Sequence, residues 1–123
     1  MAKLLRFCVL EEEHNGENVF KCHRPFIFGN PYIFDKNSKF KGLIKTSSLE
    51  ECLDLYGKYF DKSLELNDEF REEWERLLDA CKKYDVVYIG CYCPLNKPCH
   101  TDYIIKKAEQ TLLKEHIQSL LKG

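Results

Sequence analysis

The spacing of hydrophobic residues changes along the chain, from short apolar runs near the start to helix-period stripes in the remainder. Residues 4–10 and 18–22 are short apolar runs, which predict two strands. Between them, segment 11–17 contains Asn15 and Gly16, two residue types that tolerate positive φ and so predict a turn. The first part of the chain is therefore expected to supply strands to a sheet.

Two irregular segments follow these strands. Residues 24–34 are rich in aromatic side chains and are interrupted by Pro25, Gly29 and Pro31. Because a proline removes a backbone donor and restricts the preceding residue, this segment is predicted to be a shaped loop. The polar stretch 35–45 predicts a surface connection.

Three stripes of apolar residues at helical period predict three helices. The first helix is expected to begin at Ser47, with Glu50 at capping-box spacing, the second near Asn67 and the third near Pro98. The residues predicted to face the core are Leu49, Cys52, Leu53, Tyr56 and Phe60 in the first helix, Phe70, Trp74, Leu77, Leu78 and Cys81 in the second, and Ile105, Ala108, Leu112, Leu113, Ile117, Leu120 and Leu121 in the third.

The apolar run 86–89 has no polar alternation, which is typical of a strand buried on both faces. It leads through a short loop into the third helix. The order of elements predicts a single compact α/β domain over residues 1–123, with a small central sheet, about three helices and Rossmann-like strand–loop–helix packing. In open α/β sheets, ligands bind beyond the carboxyl ends of the strands. Segment 90–102 would lie at that end.

Composition narrows the class of protein. Nineteen basic and twenty acidic residues give a formal charge of −1, which argues against a protein that coats duplex nucleic acid. No apolar run approaches the ~18 residues needed to span a bilayer. Seven cysteines, an odd number, occur without a signal-peptide pattern, so a reducing, cytoplasmic location is expected.

Segment 90–102 concentrates residues that can carry chemistry at a strand-to-helix junction. The first-turn N–H groups and the helix dipole favour a bound anion, and the same dipole should lower the pKa of the Cys99 thiol. His100 can exchange protons near neutral pH, and Asp102 can orient a histidine or hold a sugar hydroxyl. We therefore predict Cys99, His100 and Asp102 as catalytic candidates, and Cys91, Cys93 and Thr101 as ligand-binding residues.

The same cysteines allow two other interpretations. Cys91, Cys93, Cys99 and His100 could ligate zinc or an iron–sulfur centre, and the preceding Cys22–His23 pair could add ligands if the strands are neighbours. A single residue between Cys91 and Cys93 is not a common zinc spacing, so the first expectation is that no cofactor is present. A thiol-redox role for Cys91, Cys93 and Cys99 is a third alternative.

A second group of candidate residues lies in the proline-rich loop. Arg24 offers a planar charged fork suited to phosphate or carboxylate. Gly29 allows close backbone approach, Asn30 can donate and accept, and the nearby phenylalanines could stack on a base. The predicted ligand-binding residues of this loop are Arg24, Phe26, Phe28, Gly29, Asn30 and Pro31.

These motifs together resemble a known family. Arg-Pro-x-x-x-Gly-Asn-Pro, followed by Cys-aromatic-Cys-Pro and Pro-Cys-His-x-Asp, is similar to a family of small bacterial and phage domains described as a domain of unknown function (DUF4326), over roughly residues 19–113. Departures from the pattern are the Cys22–His23 pair, the bulky Phe26 and the insertion at 35–46. The resemblance implies that the shared positions are Arg24, Gly29, Asn30, Pro31, Cys91, Cys93, Cys99, His100 and Asp102. The presence of members in phages implies a role in nucleotide metabolism or in countering host defence.

We therefore expect a small cytoplasmic domain that binds a nucleotide-like or ADP-ribose-like phosphate ligand. It would act either as an enzyme at a nucleoside or ribose bond, or as a counter-defence protein that sequesters its ligand. The alternative is a zinc- or iron–sulfur-stabilised interaction module that inhibits a host protein. No membrane or duplex nucleic acid partner is expected, and the sequence leaves catalysis, ligand identity and oligomeric state open.

Overall fold

The computed structural model describes residues 2–33 and 44–122, and its elements confirm the α/β prediction. They are β1 (Lys3–Cys8), β2 (Val19–Lys21), β3 (Tyr32–Ile33), β4 (Ile44–Lys45), α1 (Leu49–Leu66), α2 (Asp68–Lys83), β5 (Val86–Cys91) and α3 (His100–Leu121). None of the helices in this part of the chain is long and apolar enough to span a membrane.

The main sheet has three parallel strands in the order β1-β5-β2. Strand β5 lies in the centre, pairing Lys3 with Val86 on one side and Phe20 with Ile89 on the other. Val87 and Ile89, on one face of the strand, are fully buried, whereas Val86 and Tyr88 on the other face are half-buried. The predicted burial on both faces is therefore complete on one face only. Because all three strands are parallel, the carboxyl ends of β2 and β5 meet at one edge of the sheet.

The two irregular segments contain a second small sheet that the sequence pattern did not predict. Strands β3 and β4 pair in parallel, with Tyr32 opposite Ile44 and Ile33 opposite Lys45. Each strand has only two residues, too few for a period-two pattern to show. Of the predicted 35–45 connection, residues 35–43 lie outside the described residues.

Helix α1 begins one residue later than predicted. The N-cap is Ser48, whose Oγ accepts a hydrogen bond of 3.1 Å from the Glu51 N–H. The predicted cap, Ser47, instead donates from its hydroxyl to the Glu51 carboxylate at 2.6 Å. Two overlapping Ser-x-x-Glu patterns occur here, so spacing could not distinguish the two serines. The prediction for α2 is confirmed, with Asn67 as its N-cap.

The core lies between the sheet and the facing sides of the three helices. The predicted stripe of α2 is entirely buried, and in α1 the stripe residues Cys52, Tyr56 and Phe60 are buried, with Leu49 and Leu53 half-buried. One loop residue, Phe28, inserts into this core and contacts the rings of Phe60, Phe70 and Trp74. The loop that follows β2 is thereby anchored to both α1 and α2.

The predicted core face of α3 is wrong in its second half. Ala108 and Leu112 are buried and Ile105 is half-buried, but four further members of the stripe are 47–81% exposed. These exposed residues are Leu113, Ile117, Leu120 and Leu121. A helix of 22 residues is about 33 Å long, so its last turns extend beyond the three-stranded sheet that covers its beginning.

Candidate ligand pocket and thiol cluster

A pocket of about 150 Å³ lies where the loop after β2 meets the start of α3. Arg24 and the residues around Cys99 therefore converge on one cavity, although 74 positions separate Arg24 from Pro98 in the sequence. The convergence follows from the sheet, because β2 and β5 are parallel neighbours and the chain leaves both at the same edge. The polar side chains at its wall are His23, Arg24, Asn30, Cys93, Cys99 and His100.

Hydrogen bonds between residues close in sequence fold the loop that carries Arg24. The Phe26 N–H donates to the His23 carbonyl at 2.9 Å, and the Gly29 N–H donates to the Phe26 carbonyl at 2.8 Å. The Arg24–Pro25 peptide bond is cis. Arg24 Nη1 donates to the Asn30 carbonyl at 3.1 Å, so the guanidinium is held against its own loop.

Asn30 fixes the other side of this loop. Its Oδ1 accepts from the Tyr32 N–H at 2.9 Å, and its Nδ2 lies 3.4 Å from Cys52 Sγ on α1. The side chain is buried yet both ends of the amide are partnered, as a buried amide requires. Asn30 therefore joins the pocket wall to α1.

The two phenylalanines predicted to stack on a base do not line this pocket. Phe28 is 2% exposed and belongs to the aromatic core, so its ring has no face left for a ligand. Phe26 is 48% exposed but lines a separate hollow beside β2. The tyrosine rings at the pocket wall are those of Tyr32 and Tyr92, neither of which was among the predicted site residues. The only sequence signal for Tyr92 was its position between two candidate cysteines.

The Asp102 carboxylate makes two structural contacts at the start of α3. Its Oδ2 accepts a hydrogen bond of 3.0 Å from the N–H of Cys99, the N-cap residue, and its Oδ1 pairs with Arg6 Nη1 at 2.9 Å. Arg6 Nη2 also donates to the Pro94 carbonyl at 2.9 Å, which ties β1 to the loop after β5. Burial alone would lower the pKa of Arg6, but the hydrogen bond and charge of Asp102 raise it overall.

Three thiols form a compact cluster beside the pocket. The Sγ atoms of Cys91, Cys93 and Cys99 all lie within 4.8 Å of one another, and those of Cys91 and Cys99 are 3.1 Å apart. Hydrogen bonds from Cys91 and Cys93, and further support from His100, lower the pKa of Cys99. Hydrogen bonds to Cys91 and Cys99 raise the pKa of Cys93. The direction of the Cys99 shift agrees with the prediction, but its main cause is hydrogen bonding from the neighbouring thiols rather than the helix dipole.

His100 is held between the cluster and the end of β2. Its Nε2 lies 2.6 Å from the Cys22 carbonyl, and because a carbonyl only accepts, Nε2 carries the hydrogen. Its Nδ1 faces Cys99 Sγ at 3.4 Å, and the ring packs edge-on against Tyr56. Any proton exchange by His100 would therefore involve Nδ1 and the Cys99 sulfur.

His23 is the least satisfied polar group at the pocket. Its Nδ1 is buried and has no hydrogen-bond partner within the described part of the chain, and its ring lies between those of Phe26 and Tyr92. Burial first, and then the charges of Lys21 and His100, lower the pKa of His23. The imidazole therefore favours the neutral form.

The predicted site residues thus divide into three groups. Arg24, Asn30, Cys93, Cys99 and His100 line the pocket. Cys91, Gly29, Pro31, Thr101 and Asp102 lie behind or beside it, and Phe26 and Phe28 lie elsewhere. Thr101 is fully buried, with its Oγ1 4.0 Å from Cys91 Sγ.

Comparison with known proteins identifies the family of the chain. Residues 10–110 match the model of a family whose description reads "Domain of unknown function (DUF4326)". No curated protein and no solved structure matches the chain. That description names no activity, so the pocket and the thiol cluster are the features that bear on function.

Proposed function

The chain belongs to the DUF4326 family, and from the pocket geometry we propose that it binds a small nucleotide-like ligand through a phosphate group. The observation that carries this proposal is the convergence of Arg24 and the N-terminus of α3 on one cavity. A guanidinium fork favours phosphate, and so does the dipole at the start of a helix. Because the Asp102 carboxylate already accepts from the Cys99 N–H, the backbone contribution to phosphate binding would come from the later N–H groups of the first turn.

The size of the cavity indicates how much of a ligand it would enclose. About 150 Å³ is enough for a benzene-sized ring, and is well below the ~300–1,000 Å³ of pockets that enclose drug-sized ligands. The pocket would therefore hold one part of a nucleotide, with the remainder extending into solvent. Tyr32 and Tyr92 at the wall would replace the phenylalanines as the stacking surface.

The contacts favour binding over catalysis. Asp102, the predicted acid–base partner, is occupied by the Cys99 N–H and by Arg6, and does not line the cavity. His100 Nε2 is occupied by the Cys22 carbonyl. A protein that sequesters its ligand needs neither group free, and we include in the proposal a sequestering role against a host signalling nucleotide.

Thermal-shift measurements test the proposal with nucleotides, ADP-ribose and cyclic signalling nucleotides as probes. A ligand present at a hundred times its dissociation constant should stabilise the protein by about 2.7 kcal/mol. Arg24→Gln should lose this shift. Arg76→Gln is the matched control, since Arg76 packs over Phe20 away from the pocket and should keep the shift.

Two results would contradict the proposal: no stabilisation by any phosphate-bearing probe, or an equal shift in the Arg24→Gln variant. Chromatography of the ligand recovered after incubation then separates the two modes. An unaltered ligand indicates sequestration. A product that disappears with His100→Gln would indicate catalysis.

The thiol cluster supports a second candidate, a metal-stabilised interaction module that inhibits a host protein. Zinc or an iron–sulfur centre was predicted on three cysteines and His100, but the group of candidate ligands among the described residues contains the three thiols without His100. Such a protein should retain metal when purified without added metal, and should lose stability when the metal is chelated. Protein that is free of metal as purified and indifferent to chelator would rule this candidate out.

A further inference from the structure

We propose that Cys91, Cys93 and Cys99 hold one zinc ion through three thiolates, and that its fourth coordination position opens into the pocket to receive a neutral ring nitrogen. The inference rests on the metal-binding candidate and on the pocket described above. It joins them into one site, in which the metal is part of the ligand-binding surface.

The spacing of the three sulfur atoms fits a single ion. Zinc–thiolate bonds are about 2.3 Å long, so two thiolates on a tetrahedral zinc lie about 3.8 Å apart. The observed sulfur distances, from 3.1 Å for the Cys91–Cys99 pair to the 4.8 Å limit of the group, bracket that value. Shifts of less than about 1 Å would bring all three onto one ion.

The three ligands come from three consecutive parts of the backbone: a strand, a loop and a helix cap. Cys91 ends strand β5, Cys93 lies in the loop that follows, and Cys99 is the N-cap of α3. Arg6 holds that loop through the Pro94 carbonyl and interacts electrostatically with the Cys91 and Cys99 thiols. A positive guanidinium beside the cluster offsets part of the charge that three thiolates bring.

The fourth position is assigned to the pocket for two reasons. Among the described residues, the group that could hold a metal has three members, one fewer than a closed tetrahedral site needs. Two of its members, Cys93 and Cys99, form part of the cavity wall, so an ion between them would face the cavity. Three protein ligands with one open position is the arrangement of catalytic rather than structural zinc sites.

The charge of the zinc–thiolate site determines which kind of ligand atom is favoured at the open coordination position. Zinc with three thiolates carries a formal charge of −1, which disfavours an anionic phosphate oxygen at the open position. A neutral ring nitrogen suits zinc and adds no charge. The pocket would therefore divide its ligand, with phosphate at Arg24 and a heterocyclic nitrogen at the metal.

Two of the described histidines could compete for the open position. His100 lines the same cavity and its Nδ1 lies 3.4 Å from Cys99 Sγ, while His23 also lines the cavity and its Nδ1 is buried without a partner in the described structure. If either histidine occupied the fourth position, the site would be closed and structural. The test therefore has to separate an open site from one closed by a histidine.

Cobalt(II) titration of the metal-free, reduced protein provides that test, because tetrahedral cobalt thiolate sites absorb strongly in the visible and near-ultraviolet. We expect saturation at one equivalent, with sulfur-to-cobalt charge-transfer bands, and a change in the visible bands on addition of imidazole. Cys93→Ser should lose the charge-transfer bands. Cys81→Ser, which alters a buried thiol on α2, should retain them. His23→Ala and His100→Ala should each keep the charge-transfer bands and the response to imidazole.

The outcomes separate this inference from the proposals on which it builds. Cobalt thiolate bands that ignore imidazole in the wild type would show a closed site and overturn the inference while the metal candidate survives. A response to imidazole that appears only in His23→Ala or His100→Ala would identify the histidine that closes it. Absence of thiolate bands in the wild-type protein would overturn both, and iron–sulfur absorption in the purified protein would overturn the single zinc ion. The phosphate proposal is tested separately by Arg24→Gln.

Discussion

Gly29 determines the shape of the loop that carries Arg24. A Cβ atom at this position would lie 3.0 Å from the Phe26 carbonyl oxygen and 3.1 Å from Arg24 Cα, distances tighter than ordinary packing. Both neighbours are backbone atoms, which cannot move aside as a side chain can. The glycine in the Gly-Asn-Pro motif is therefore required by close approach within the loop, and through the loop it positions the pocket wall.

Gly29→Ala should lower the free energy of unfolding by about 1–3 kcal/mol, the usual cost of an overpacked position. It should also reduce any ligand-induced thermal shift, because the Arg24 segment has to move. Gly57→Ala is the matched control: its Cβ would also lie 3.0 Å from a neighbour, but that neighbour is the Tyr103 ring. Alanine also favours a helix over glycine by about 1 kcal/mol, so Gly57→Ala should be close to neutral in urea denaturation. Equal costs for the two variants would contradict the role given to Gly29.

Cys81 provides a prediction about pH. Burial raises the pKa of this thiol from an ordinary value of 9.0 to about 11, so it stays protonated in the folded protein where the unfolded chain would ionise. Above pH 9 the native state binds more protons than the unfolded state, and stability must fall as pH rises. Through Cys81 the free energy of unfolding should fall by on the order of 2 kcal/mol, with most of the loss reached by about pH 11.

Urea denaturation of the wild type and of Cys81→Ala across this alkaline range would measure the loss of stability that the thiol causes. The variant should lose less stability than the wild type between about pH 9 and about pH 11, and the two curves should run parallel below that range. Curves that stay parallel throughout would show that the buried thiol does not cause the alkaline loss.

At the scale of whole elements, periodicity and caps predicted the long helices well. Asn67 before Phe70 gave the start of α2 because a side-chain cap is a local feature that spacing records. The two-residue strands β3 and β4 were missed because pairing between distant segments leaves no local period in so short a run. The predicted core face of α3 was wrong in its second half for a different reason. Its period continues past Leu112, but the sheet that covers the helix does not.

The end of α3 can be tested by paired substitutions. Leu112→Ala removes a side chain that is 5% exposed and should cost about 2–5 kcal/mol, as large-to-small changes in a core do. Ile117→Ala removes one that is 47% exposed and should change stability by about 0.5 kcal/mol, beyond a small difference in helix propensity. Similar large losses in urea denaturation of the dilute protein would show that the last turns of α3 are buried in solution.

For the molecule as a whole, strand order was the information that the sequence lacked. The pattern indicated that residues 18–22 and 86–89 form strands, but not that β2 and β5 are neighbours. Their parallel pairing brings the residues after each strand to one edge, which is why Arg24 meets Cys99. The sequence also did not show in which direction each side chain points. An aromatic residue in a loop fits a pocket wall or a core, and only the packing of α1 and α2 assigns Phe28 to the core.

The position of Phe28 in the core leads to a final prediction, which links the stability of the fold to the position of the pocket loop. Phe28→Ala should lower the free energy of unfolding by about 3–5 kcal/mol, a large share of the ~5–15 kcal/mol typical of a domain, because the ring fills the space between Phe60, Phe70 and Trp74. Phe26→Ala, at a position 48% exposed, should cost less than about 1 kcal/mol. Urea denaturation of both variants measures the contrast. If Phe28→Ala kept wild-type stability, the loop would fold independently of the helices, and the core could not be what holds Arg24 at the pocket.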